Sequence, residues 1–158
     1  MIRVLFVCLG NICRSPLAEG VFIQTIKNNK KSHLFHVDSA GTASYHIGKL
    51  PDIRSRQVAE ENGFKLTHRA RAFTANDFNN FDYIVVMDKQ NRMDVESKRP
   101  KNNTTPVLMM RGNNTNNTLE VPDPYYGNYS DFVNVYQLLS SACDELLEYI
   151  LSSNQNNV

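Results

Sequence analysis

Apolar residues fall along this chain in two rhythms. Solid apolar runs stand at Ile2-Arg3-Val4-Leu5-Phe6-Val7, Leu34-Phe35-His36-Val37, Asp82-Tyr83-Ile84-Val85-Val86-Met87 and Pro106-Val107-Leu108-Met109. Runs this short and this rich in β-branched residues predict buried strands. Between them the spacing becomes helical. Leu17, Val21, Phe22 and Ile26 predict a helix that opens at Pro16 with Ser15 as its cap and leaves through the polar stretch Lys27 to Lys31. Asp52 should cap a second helix that Gly63 stops, Thr74 to Phe78 a short third, and Asp88 to Arg99 a fourth closed by Pro100. Ser130 to about Ser152 reads as a long amphipathic helix, with Phe132, Tyr136, Leu139, Cys143, Leu146 or Leu147, and Ile150 on one stripe. Residues 111–124 form a long polar loop, a length usually reserved for function or mobility. No internal repeat is present.

Strands alternating with helices predict parallel βαβ units and an α/β fold, a three-layer αβα sandwich. Ligands in such sheets bind beyond the carboxyl ends of the strands. Cys8, Asp38-Ser39, Met87-Asp88 and the loop after Met109 all fall at that edge.

At 158 residues, the chain reads as a single domain over 1–158. A net charge of +1 gives no reason to expect nucleic acid or an anionic membrane as partner. No stretch approaches the roughly 20 apolar residues of a membrane span. The N-terminal run is too short for a signal peptide. Three cysteines, two of them in one loop, suit a reducing compartment better than a disulfide framework. The expectation is a soluble, cytoplasmic monomer. Triplets such as Asn113-Asn114-Thr115 are then chance in an asparagine-rich chain and not glycosylation sites.

The chemistry concentrates in Cys8-Leu9-Gly10-Asn11-Ile12-Cys13-Arg14-Ser15. A thiol ends a strand, an arginine follows six residues on, and a helix begins at once. Gly10 and Asn11 are the residue types that best tolerate φ > 0, as a loop with inward-turned amides requires. The helix N-terminus adds partial positive charge, and Arg14 can offer a phosphate two parallel hydrogen bonds. Together these groups favour the thiolate of Cys8. Ser15 could donate to that sulfur and help it leave. A thiolate attacking phosphorus needs an acid for the departing oxygen, but no metal or other cofactor. Asp123, between Pro122 and Pro124, is the candidate, with Tyr125 and Tyr126 as aromatic walls. On composition alone Asp123 reads rather as an ordinary solvated carboxylate in a proline-rich turn.

Val7 to Pro16 together with Asp123-Pro124-Tyr125-Tyr126-Gly127 resembles the phosphate loop and general-acid loop of the low-molecular-weight protein tyrosine phosphatases. The resemblance extends over essentially the whole chain. It implies a flavodoxin-like fold with a four-stranded parallel sheet, and a two-step reaction through a phosphocysteine on Cys8. Arg14 and the amides of Leu9 to Ser15 would bind the phosphoryl group, and Asp123 would act as acid and then base. It further implies that Asn11, Ser15, Ser39, His68 and Asp88 support the loop. Leu9, Tyr45, Tyr125 and Tyr126 would line the substrate crevice. Cys13 would be able to form a reversible disulfide with Cys8. The implied substrates are phosphotyrosine proteins and small aryl phosphates, with inorganic phosphate and vanadate as inhibitors.

Three rival functions deserve weighing. Arsenate reduction on this fold passes a disulfide through two further downstream cysteines, and only Cys143 lies downstream. Protein arginine phosphatases resemble the chain too, but typically carry Thr where Ile12 stands and lack the tyrosine pair. A non-catalytic phosphate-binding module would be expected to have lost Cys8, Arg14 or Asp123, and all three are present.

Overall fold

The computed structural model describes residues 1–112 and 119–155. Asn113-Asn114-Thr115 and the middle of the 111–124 loop lie outside the described residues. The elements run β1 (Ile2–Cys8), α1 (Arg14–Asn28), β2 (Phe35–Gly41), α2 (Ile53–Glu61), α3 (Asp77–Asn80), β3 (Tyr83–Val86), α4 (Lys89–Glu96), β4 (Val107–Met109) and α5 (Tyr129–Gln155). The four strands form one sheet in the order β2-β1-β3-β4, with every pairing parallel.

Alternation along the strands splits the core in two. Val4, Phe6 and Cys8 join Val85 and Met87 in packing on α1 and α5, against Leu17, Phe22, Leu139 and Leu146. Leu5 and Val7 join Ile84 and Val86 on the opposite face, under Phe73, Phe78, Phe81 and Val95. Such burial of both faces is what solid apolar strands predict. Each large side chain removed from water contributes about 1.5–3 kcal/mol. Sheet and flanking helices make the three-layer α/β sandwich. The stripe on α5 is buried from Phe132 through Leu139, Cys143 and Leu146 to Ile150. No helix among the described residues is long and apolar enough to cross a membrane.

Several boundaries differ from expectation. Helix α1 starts at Arg14, with Cys13 in the cap position, so Ser15 is inside the helix and caps nothing. The N–H groups of the first turn have no intrahelical partner, so Pro16 fits as well two residues in as at the first position. Leu34 ends a 3-10 turn, and β2 continues through Asp38-Ser39-Ala40 to Gly41, carried by its pairing with β1 as far as Cys8. The third helix is Asp77–Asn80. Thr74 precedes it and donates its backbone N–H to the Asp77 carboxylate at 2.8 Å. Asp52 caps α2 as expected, accepting from Arg54 N at 2.8 Å, and Gly63 (φ +90) follows its end. Asp88 caps α4 through a capping box with Asn91.

Candidate active site

The residues after β1 curl into a loop, four of whose carbonyl groups are claimed from outside. Cys8 O accepts from Thr42 N at 2.9 Å, Leu9 O from Ala43 N at 2.8 Å, and Ile12 O from Asp52 N at 2.8 Å. Cys13 O accepts from Ser55 Oγ at 3.2 Å. A trans peptide points its N–H opposite to its C=O, and no described peptide is cis. Drawing these four carbonyls outward therefore turns the N–H groups of Leu9, Gly10, Cys13 and Arg14 inward. Cys13 makes no side-chain cap bond, which leaves the first-turn amides of α1 for an anion.

Only one of the two expected positive-φ residues is one. Asn11 has φ 56, whereas Gly10 does not adopt the left-handed region. Gly10 is small for another reason: a Cβ there would come within 3.0 Å of the His46 ring. Gly41 answers to the same kind of crowding. A Cβ on it would lie 2.8 Å from Leu9 O and 3.0 Å from Asn11 N.

Asn11 is buried, and its side chain is the hub beneath the loop. Its Nδ2 donates to Ser15 Oγ at 2.7 Å and Ser39 Oγ at 3.0 Å. Its Oδ1 accepts from Arg71 N at 3.0 Å and meets His68 Nε2 at 2.9 Å. The backbone donor fixes which end of the amide is oxygen, so His68 Nε2 must carry a proton. Ser15 Oγ, already accepting from Asn11, keeps one hydroxyl proton within reach of Cys8 Sγ at 3.0 Å and Ala40 O at 3.4 Å, and a thiolate at Cys8 would take it.

Behind the hub lies Glu19, a residue the sequence reading missed. Ser39 Oγ donates to Glu19 Oε1 at 2.5 Å. His68 Nδ1 is 3.5 Å from Glu19 Oε1 and 3.3 Å from Asp38 Oδ1. A bare Nδ1 lone pair would face two carboxylates, so one proton must reside in this triangle, on Glu19 or on the ring. Burial raises the Glu19 carboxyl to about 7, with the Asp38 charge adding to the rise against the Ser39 hydrogen bond. Burial favours the neutral ring of His68, and the Asp38 charge opposes it. Arg71 closes the cluster by pairing with Asp38 at 3.1 Å and Asp77 at 3.0 Å.

Arg14 is buried beside the thiol. Its Nη1 donates to Asp88 Oδ2 at 2.7 Å and to Val121 O at 2.9 Å, and its Nη2 lies 3.7 Å from Asp123 Oδ2. Burial works against its charge, but Cys8, Asp88 and Asp123 outweigh it and raise its pKa. Asp123 Oδ1 accepts from Tyr125 N at 3.1 Å, and its side chain is 38% exposed. Cys8, Arg14 and Asp123 thus share one crevice, walled by Leu9, Ile12, Tyr45, His46, Tyr125 and Tyr126. His46, unflagged by any motif, sits 6.3 Å from both the Tyr45 and the Tyr125 rings. Tyr125 and Tyr126 meet edge to face at 4.9 Å. Cys13 is buried, and burial with the charges of Asp52, Cys8 and Asp123 pushes its thiol well up. Burial does the same to Cys143, whose Sγ faces Ala18 O within the α1–α5 core. The arrangement offers a thiol at the foot of an anion nest, a guanidinium beside it and a carboxyl at the mouth.

The family model for low molecular weight phosphotyrosine protein phosphatases matches residues 3–156. The chain belongs to this family. The Mus musculus low molecular weight phosphotyrosine protein phosphatase is 42% identical over 147 residues, covering 92% of this chain and 93% of that protein. A protein tyrosine phosphatase from Entamoeba histolytica, solved with Hepes in its active site, superposes with a TM-score of 0.90 at 38% identity, covering 98% of this chain and 99% of that one. Wzb from Vibrio vulnificus, solved in complex with benzylphosphonate, gives a TM-score of 0.80 at 29% identity, over 94% of this chain and 98% of that one. The family also accounts for the parallel sheet of four strands described above.

Proposed function

We propose that this protein is a tyrosine phosphatase acting on phosphotyrosine and small aryl phosphates through a phosphocysteine on Cys8. One observation carries the reading: the Cys8 thiol, the Arg14 guanidinium and the Asp123 carboxyl line a single crevice, with Arg14 and Asp123 3.7 Å apart. In the first step the Cys8 thiolate attacks phosphorus, the P–O bond to the phenol breaks, and Asp123 gives its proton to the departing oxygen. In the second, Asp123 takes a proton from water as that water attacks phosphorus, and the sulfur leaves while Ser15 donates to it. Arg14 and the loop amides hold the equatorial oxygens throughout. No metal or cofactor enters either step.

The tyrosine walls and Ile12 support an aryl phosphate over phosphoarginine, and the burial of Cys143 argues against a disulfide relay. We further propose one phosphatase domain over the whole chain, working as a cytoplasmic monomer. Phosphate and vanadate would compete for the nest. A Cys8–Cys13 disulfide would protect the nucleophile from irreversible oxidation.

The test is turnover of phosphotyrosine, phosphoserine and phosphoarginine, each with and without chelator. Hydrolysis of phosphotyrosine that is indifferent to chelator and lost in Cys8→Ser supports the mechanism. Full activity in Cys8→Ser, or a requirement for divalent metal, overturns it. Preference for phosphoarginine would move the substrate assignment.

A further inference from the structure

We propose that Arg54 is a positioning residue: with Asp52 it clamps the Asp123 loop to the phosphate loop, and so sets how well Asp123 reaches the leaving group. The inference rests on the reading of Asp123 as the acid. Arg54 lies in the first turn of α2, outside both motifs. Its Nη1 donates to Gly127 O at 3.1 Å and its Nη2 to Tyr125 O at 3.0 Å, so it holds the segment just past Asp123 by two carbonyls. Its Nε and Nη2 meet the two oxygens of Asp52, each at 3.0 Å. The guanidinium carbon sits 4.2 Å from the centroid of the Phe132 ring on α5, which holds the plane from one face.

The other end of the clamp is the phosphate loop. Asp52 N donates to Ile12 O at 2.8 Å, and Ser55 Oγ donates to Cys13 O at 3.2 Å. A single turn of α2 therefore grips the loop that bears the thiol and, through Arg54, the loop that bears the acid. Within its own segment the acid loop has Gly127 N to Pro124 O at 2.9 Å and Tyr125 N to Asp123 Oδ1 at 3.1 Å. Those bonds shape the loop from within; before Asp123 it is anchored by Val121, whose N donates to Met87 O at 2.8 Å and whose O accepts from Arg14 Nη1, and after Asp123 it is Arg54 that holds it. A planar fork with four of its five N–H groups engaged is not replaceable by an ammonium point charge.

A purely structural ion pair and a positioning clamp make different predictions. The experiment measures kcat/KM for a series of aryl phosphates from good to poor leaving groups, in wild type, Arg54→Met, Asp52→Asn and Asp123→Ala. Vanadate affinity and thermal melting are measured in parallel. Met keeps an unbranched apolar side chain at this position while removing the fork and its contact with Phe132. Asn keeps an acceptor to cap α2 while loosening its grip on the guanidinium, and serves should Arg54→Met fold poorly. Proton donation is worth about 100-fold or more, and matters most when the phenol leaves badly. Partial misplacement should cost Arg54→Met about 10-fold on the poorest leaving groups and less than about 3-fold on the best. Vanadate affinity should stay within about 3-fold, because the nest is left standing. Asp52→Asn should steepen the series in the same direction, by less. An equal loss across the series, or no loss in either variant, overturns the clamp provided that Asp123→Ala itself steepens the series. A flat series in Asp123→Ala overturns the acid reading, and the clamp with it.

Discussion

Replacing Asn11 by Ala should be among the most damaging single changes outside the reacting groups, because one amide serves four partners. The variant loses donation to Ser15 and Ser39 and acceptance from Arg71 N and His68 Nε2. Each bond contributes about 1 kcal/mol net, and the Arg71 N–H and His68 ring N–H are left seeking an acceptor. Ala at φ 56 adds about 1 kcal/mol that Asn tolerates better. The total is about 5 kcal/mol, a large share of the usual 5–15 kcal/mol of a folded domain. With a urea slope near 2 kcal/mol per molar, the unfolding midpoint should fall by about 2.5 M. Far-UV circular dichroism in urea reads that shift. Vanadate titration under folding conditions reads the consequence for the nest, which should weaken at least about 10-fold once its amides lose their template. The coupling can be checked separately. His68→Ala should cost much less on the Asn11→Ala background than alone, since the two share one bond. A midpoint shift below about 0.5 M with vanadate affinity retained would mean that the loop holds its own shape, and that the hub reasoning is wrong.

Asp88 both grips Arg14 through Oδ2 and caps α4 through Oδ1, and two substitutions separate these roles. Asp88→Asn should keep the cap and lower oxyanion affinity several-fold, while Asp88→Ala should lose about 1 kcal/mol more stability; equal stabilities would deny the cap. Glu19 gives a pH signature. Its folded value of about 7 lies above the ordinary 4.5, so between those limits the folded state keeps a proton that the unfolded chain has released. Stability should therefore fall as pH rises from about 4.5 to 7, by up to about 3 kcal/mol. Glu19→Gln should flatten that fall in urea midpoints taken at pH 5 and pH 7, and an unchanged slope would place the proton elsewhere.

What could be read from the chain and what could not divide along the range of the interactions. The strands, Asp52 as a cap, Gly63 as a stop and the α5 stripe are local signals, carried by neighbours within a turn or two. The phosphate loop was legible for the same reason: Cys8, Asn11 and Arg14 lie within one short segment, and Asn11 takes the positive φ that its residue type favours. Asp123 needed a second motif, because nothing near it in sequence says that Arg14 will lie 3.7 Å away. Glu19, His46 and Arg54 carried no such signal. Glu19 sits among helical residues, where a carboxylate usually faces water, and only the packing of β2 and of the segment after α2 beside α1 gives it Ser39 and His68. Arg54 reads as one of two arginines in a polar helix until the carbonyls of Tyr125 and Gly127 arrive. Ser15 shows the sharper limit. Its type and its place before Pro16 argued for a cap, yet the helix begins two residues before Pro16, and the hydroxyl meets Asn11 and Cys8. Local preference lost there because the loop needs uncapped amides at the helix start. A Ser15 hydroxyl bound to its own helix would have competed with the anion for those amides and left Cys8 Sγ without its 3.0 Å partner.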